Sequence, residues 1–175
     1  MTIAGTSLGN RILKVNHAGE HGAVDIYTGQ ILMARLTAPH LVDALDGFRA
    51  HERRHRQLFD VELQRRHRPR CRSYTLCGLG GLALGLLSGL LGAKAIAVTT
   101  VAVERVVLRH LAHQLEALSD MDPAATATIS AIVEEERQHH DDAAAHLAAP
   151  TALTRLMSRC VSASTEGVIR LGMVL

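Results

Sequence analysis

A Glu…Glu-x-x-His pattern occurs twice in this chain, the second copy 84 positions after the first: Glu20, Glu52 and His55 return as Glu104, Glu136 and His139. In each copy 32 residues separate the two glutamates. Together the copies supply four carboxylates and two imidazoles, a full donor set for two iron or manganese ions in the core of a helical bundle. On a helix, Glu-x-x-His puts both side chains on one face, one turn apart, so both reach one ion. With nine Glu and 11 His, roughly half a Glu-x-x-His is expected by chance, so two are a weak signal alone. The equal spacing of the two sets carries the reading.

The neighbours of the glutamates follow helical periodicity. Glu20 shares a face with Val24, Tyr27 and Ile31, and Glu52 with Leu45, Phe48, His55 and Phe59. Glu104 aligns with Ala97, Val101, Leu108, Leu111 and Leu115, and Glu136 with Ile129, Ile132, Val133, His139 and Ala143. A carboxylate on an apolar stripe costs several kcal/mol, on the order of 3 to 5, unless it is paired or bound to a cation. Four such residues place cations in the core. The expected grouping is Glu20, Glu52 and His55 at one ion and Glu104, Glu136 and His139 at the other, with one or two glutamates bridging. Carboxylate and imidazole suit Fe(II) or Mn(II), and no thiolate fits the pattern. Tyr27 and His110 lie near the ligand stripe as candidates for supporting or channel-lining roles. His17, His21, His51, His113 and His146 read as surface or supporting groups. His140 and Asp141 point elsewhere on their helix.

The expected elements are helices over 9–36, from Pro39 to before Pro69, over 94–118, and from the Asp122-Pro123 cap to about 148, where Pro150 ends it. A shorter amphipathic helix fills the C-terminus. A single domain over 1–175 is expected. Aromatics make up 2% of the residues and Trp is absent, so Ala, Leu and Val build a helical core. Cys71, Cys77 and Cys160 form no C-x-x-C, which suggests a reducing compartment. No secretory or transit peptide precedes the first motif, as expected of a bacterial or mature organellar protein.

Between Arg72 and Lys94 lie 21 residues without a charge. Gly81, Gly85 and Gly89 repeat G-x-x-x-G, a spacing that permits close helix packing. Nine of the 17 Arg fall between Arg49 and Arg72, just before this stretch, where anionic head groups would attract them. A true membrane span would put Glu52 and Glu104 on opposite sides of a bilayer, so residues 73–93 are expected to lie in or dip into one leaflet. The other reading is a bundle helix with small residues at a dimer contact. Gly78-Leu79-Gly80-Gly81-Leu82-Ala83 matches a dinucleotide fingerprint only superficially, since no strand precedes it.

The run 10–23 (NRILKVNHAGEHGA), with Ile26-Tyr27 and Gly29-Gln30, resembles the opening of the demethoxyubiquinone hydroxylase family. So does Thr100-Val101-Ala102-Val103-Glu104 followed by His110 and Gln114, and Glu135–Asp141 resembles that family's last ligand motif. The resemblance covers residues 10–148. It implies a ferritin-like four-helix bundle with an additional apolar membrane-contacting helix and a C-terminal helix. It further implies a membrane-associated di-iron monooxygenase of ubiquinone biosynthesis, with Glu20, Glu52, His55, Glu104, Glu136 and His139 binding two Fe ions. O2 would be the co-substrate, a polyprenyl demethoxyquinone the substrate and NADH the electron donor; no residues are assigned to the reductant. The expected site of action is the cytoplasmic face of a bacterial inner membrane, or the matrix face of the mitochondrial inner membrane. An anionic membrane surface, further ubiquinone-biosynthesis proteins and a second copy of the chain are the implied partners; nucleic acid is not. Leu111 stands where relatives carry an aromatic residue, and Glu166 stands near an expected Arg.

Two rival readings use the same ligands. One is a ferritin-like ferroxidase or iron-handling protein, which needs no lipid-facing segment. The other is a non-enzymatic membrane adaptor with a structural metal site.

Overall fold

The computed structural model describes residues 3–147 and 151–175, with side chains described from residue 7. Among these the chain is all-helical: α1 Ile3–Thr37, α2 Val42–Arg65, α3 Tyr74–Leu90, α4 Ala93–Leu118, α5 Pro123–Ser130, α6 Val133–Ala145 and α7 Ala152–Val174. A 3-10 turn, Pro39–Leu41, joins α1 to α2.

Two apolar clusters organise the bundle. One gathers Ile12 and Leu13 of α1, Phe59 and Leu63 of α2, Leu111 and Leu118 of α4, and Ala125, Ile129 and Ile132. The other gathers Tyr27, Ile31, Ala34, Ala38, Leu41, Leu45 and Ile96. The same helices contribute to both clusters in opposite chain order, so α2 and α4 run antiparallel to α1. The four glutamates of the repeat sit at intermediate positions, with packed hydrocarbon above and below them.

The helix expected from Pro123 to about residue 148 is two helices. The cap is as expected: Asp122 Oδ1 accepts from the Ala125 N–H at 3.2 Å. After Ser130 the chain tightens, with Ile132 N bonding Ile129 O at 3.2 Å in an i→i+3 pattern. Ile129 and Ile132 are both fully buried, and the tighter turn lets both reach the same cluster. Pro150, expected to end this helix, lies outside the described residues. Pro39 opens a 3-10 turn, and α2 proper starts three residues later. The C-terminal helix fills the rest of the chain as expected, 23 residues from a capping box between Thr151 and Thr154.

The uncharged stretch forms a 17-residue helix, α3, and then turns at Gly92, whose φ of 87° suits a residue without a Cβ. Among the described residues no helix is long and apolar enough to cross a membrane. The G-x-x-x-G face packs within the chain, against α1. A Cβ on Gly81 would lie 2.2 Å from Gly22 O, and one on Gly85 2.1 Å from Ile26 O. Both contacts advance by four residues, so α3 runs parallel to α1 at nearly backbone contact. The opposite face exposes Leu76, Leu79, Leu87 and Leu90.

A buried ion pair ties the bundle end together. Arg66 grips Asp122 with two bonds, Nη1–Oδ2 at 2.6 Å and Nη2–Oδ1 at 2.7 Å, and its Nε bonds Glu62 Oε1 at 2.6 Å. Arg66 holds the Asp122 carboxyl below its usual range, so Asp122 stays charged as the cap of α5.

Candidate metal centre

The periodicity that puts Glu20, Glu52, Glu104 and Glu136 on apolar stripes brings all four inside, each no more than 6% exposed; His55 and His139 are fully buried. Their ligating atoms form two overlapping groups, each within 4.8 Å: Glu20, Glu52, His55 and Glu136, and Glu52, Glu104, Glu136 and His139. Glu52 and Glu136 belong to both.

The pairing is crossed. His55 Nδ1 is 2.8 Å from Glu136 Oε1 and His139 Nδ1 is 3.0 Å from Glu52 Oε1, so each histidine faces the glutamate of the other copy. None of these four atoms makes a hydrogen bond of acceptable geometry. Their lone pairs converge without meeting a donor, a costly arrangement for buried polar atoms that a cation would relieve. The outer nitrogens, by contrast, have partners. His55 Nε2 is 2.8 Å from Glu135 Oε2, and His139 Nε2 is 3.0 Å from His51 Nδ1. An Nε2–H bonded outward leaves the Nδ1 lone pair facing inward. The donors therefore fit two hard or borderline divalent ions.

Protonation follows the crowding of charge. Burial, and then the neighbouring Glu52, pushes Glu20 well above the usual carboxylate range. Burial and then Glu136 do the same to Glu104. Burial alone would also raise Glu52, but the neighbouring His139 and His55 imidazoles hold it below that range. Burial opposes the charge on His55, yet Glu136 and Glu52 raise it to about 9. Cations supplied in protons here could equally be supplied as metal.

Tyr27 donates its hydroxyl to Glu104 Oε1 at 3.1 Å, beside the ligand group. His110 is not near the ligands' own bonds: its Nε2 is 2.9 Å from Glu166 Oε2 on α7. That bond, with Arg109 and Arg170, holds the Glu166 carboxyl down at about 2. His17, expected at the surface or in support, is almost fully buried between Tyr74 and Asp60, and burial pushes it down to about 4. His21 stacks on Tyr74 at 4.1 Å. His113 and His146 are exposed, and His140 bonds its neighbour Asp141 at 2.9 Å. Sequence reasoning missed Glu135. Its only signal was its place directly before Glu136, the position His51 holds before Glu52.

A cavity of about 240 Å³ reaches the four glutamates from between α1, α3, α4 and α7. Ile26, Leu84, Val103, Val107 and Ile169 make most of its wall apolar. Polar side chains interrupt it beyond the glutamates: His110, Ser164, Thr165 and the amide pair Asn16–Gln114, which bond each other reciprocally at 2.8 and 3.0 Å.

The sequence pattern of the family described as ubiquinone biosynthesis protein COQ7 matches residues 7–172, further than the resemblance over 10–148. The chain is 38% identical over 138 residues to a 3-demethoxyubiquinol 3-hydroxylase of Rhodospirillum rubrum, covering 75% of this chain and 62% of that protein. It is 37% identical over 112 residues to the mitochondrial NADPH-dependent 3-demethoxyubiquinone 3-hydroxylase of Dictyostelium discoideum, covering 63% of this chain and 50% of that one. The mouse protein of the same description is 31% identical over 167 residues, 93% of this chain and 76% of its own length.

Proposed function

The chain belongs to the COQ7 family of ubiquinone biosynthesis proteins, and on that premise we propose that it is a di-iron monooxygenase that hydroxylates the ring of a demethoxyubiquinol. One observation carries the reading. Glu52, Glu136, His55 and His139 turn unpartnered buried atoms toward a common centre beside the buried Glu20 and Glu104, at the wall of an apolar cavity. Iron storage needs the first of these features and not the second.

Glu20, Glu52, His55 and Glu136 would hold one ion and Glu52, Glu104, Glu136 and His139 the other. A bound iron pair supplies the electrons that activate O2. The protein's own groups do the rest. Tyr27 fixes the orientation of Glu104, while Glu135 and His51 hold the imidazoles so that their Nδ1 atoms face inward. The apolar wall binds the hydrocarbon part of the quinone and keeps water from the reacting ring. Asn16, Gln114 and His110 are among the groups able to hydrogen-bond ring oxygens there.

In this reading α1, α2, α4 and α6 are a ferritin-like four-helix bundle in a single domain. The exposed leucines of α3 and the preceding Arg run rest on one leaflet of the bacterial inner or mitochondrial inner membrane, where a polyprenyl quinone resides. The electron donor is a reduced nicotinamide dinucleotide. NADH is the donor the sequence resemblance implies, while the amoebal and mouse relatives carry NADPH in their names.

The test is anaerobic Fe(II) loading, then O2 and a demethoxyquinol, with mass analysis of the ring product. A gain of one oxygen atom that disappears in Glu104→Ala together with the bound iron is the expected result. Full hydroxylation by Glu104→Ala would refute it.

A further inference from the structure

The two metal-facing histidines are held from outside by different chemistry. His55 Nε2 is 2.8 Å from Glu135 Oε2, and Arg54 pairs with the same carboxylate oxygen. His139 Nε2 is 3.0 Å from His51 Nδ1, with the two rings stacked at 5.2 Å and 10°. Glu135 and His51 occupy equivalent places. Each directly precedes the glutamate of one Glu-x-x-His, and each holds the histidine of the other. The outer partners repeat the crossing of the inner ones, but one is a carboxylate and the other an imidazole.

We propose that Glu135 and His51 are positioning residues that make the two metal positions unequal, the one served by His55 stronger and the one served by His139 weaker. The inference rests on the dinuclear reading above. For Nδ1 to face an ion, the ring proton must sit on Nε2 and be donated outward. A carboxylate accepting that proton pushes electron density into the ring and strengthens Nδ1 as a ligand. An imidazole carries no full charge and does this less. Glu52 and Glu136 serve both positions, so they do not separate them. The remaining ligands differ in the same sense. Glu104 accepts a hydrogen bond from Tyr27, which draws charge from it, and Tyr27 serves only that position. Arg54 draws some charge from Glu135 but leaves it an anion, so both asymmetries favour the His55 side.

The experiment is an anaerobic titration of the full chain with Co(II), followed by its d–d absorption and by calorimetry. The natural sequence is expected to bind in two steps at least about tenfold apart. Glu135→Gln keeps an acceptor but removes the charge, and should weaken the tighter step by about 10- to 100-fold, the usual effect of losing such a partner. The other step should stay nearly unchanged. His51→Glu gives both histidines a carboxylate and should draw the two steps together by tightening the weaker one. Two ions bound with equal affinity by the natural sequence would overturn the inference while leaving the dinuclear reading intact. So would an equal loss at both steps in Glu135→Gln, or no tightening in a folded His51→Glu protein. A chain that takes up no Co(II), Fe(II) or Mn(II) would refute the dinuclear reading itself, and this inference with it.

Discussion

His55 Nδ1 lies 2.8 Å from Glu136 Oε1 of the other repeat but 3.7 Å from Glu52 of its own. The three residues of each copy stay in one group, and the glutamate of the other copy's Glu-x-x-His joins them. Ligands cross between copies, and the two glutamates next to the histidines become common to both groups.

Shared and terminal ligands should respond differently to removal. Glu136→Ala strips a carboxylate from both groups, whereas Glu20→Ala leaves Glu52, Glu104, Glu136 and His139 in place. After loading and desalting, Glu20→Ala should retain about half the iron of the natural sequence and Glu136→Ala little, an outer bound being the loss of a whole ligand at each ion. Elemental analysis per chain checks this. Equal retention by the two variants would contradict the sharing.

Metal should stabilise the fold, because an ion neutralises carboxylates that otherwise crowd together. At a free-ion concentration 100 times Kd, the gain is about 2.7 kcal/mol. Chemical denaturation with and without Mn(II) measures it. Glu136→Ala should lose most of the gain.

The glycine seam between α1 and α3 predicts a sharp contrast. Gly85→Ala puts a methyl about where Ile26 O already sits and should cost about 1–3 kcal/mol or more, as overpacking does. Gly80 lies on the same helix with nothing within 4 Å of its would-be Cβ. Gly80→Ala should be neutral or stabilise by up to about 1 kcal/mol through helix propensity. Urea denaturation midpoints separate the two.

Asp122→Ala leaves Arg66 buried without its bidentate partner and uncaps α5, a loss of about 3–5 kcal/mol. The Asp122 carboxyl is depressed in the folded state, so its contribution is complete above its ordinary value of 3.8. It fades as pH falls through the lower folded value. The stability difference between the natural sequence and Asp122→Ala should therefore shrink on acidification below about pH 4. Denaturation at several pH values reads the difference directly.

Filling the cavity should separate substrate from metal. Leu84 lines the cavity on α3, away from the ligands. Leu84→Trp is expected to retain iron yet lose at least about tenfold in kcat/KM for a long-tailed quinol, a barrier of about 1.4 kcal/mol. Normal turnover with normal iron content would remove this cavity from consideration as the substrate route.

The burial of the six candidate ligands was legible in the sequence because a helix leaves them little freedom. Once Glu20 shares a stripe with Val24, Tyr27 and Ile31, burying the stripe buries the carboxylate. The ends of α4 and the Asp122-Pro123 start were legible for similar local reasons. What escaped depends on which helix meets which. Gly81 and Gly85 announce a close approach but not its partner, and α1 rather than a second chain or lipid takes that role. Nothing local marks Ala131–Ile132 as a break, because the tightening serves packing against other helices. His17 read as a surface or supporting group, and Tyr74, 57 positions away in the chain, covers it. Glu135 read as one more charge in an acidic run, since only the crossing of the repeats brings it to His55.

The crossing has a consequence for how such a chain could arise. Neither half holds the whole of either group: the His55 group includes Glu136, and the His139 group includes Glu52. A peptide carrying one copy alone would have to associate with a twin to recreate the arrangement, and joining the two by a linker would turn that association into folding. The differing residues before each Glu-x-x-His, Glu135 and His51, are then where the joined halves have ceased to be interchangeable.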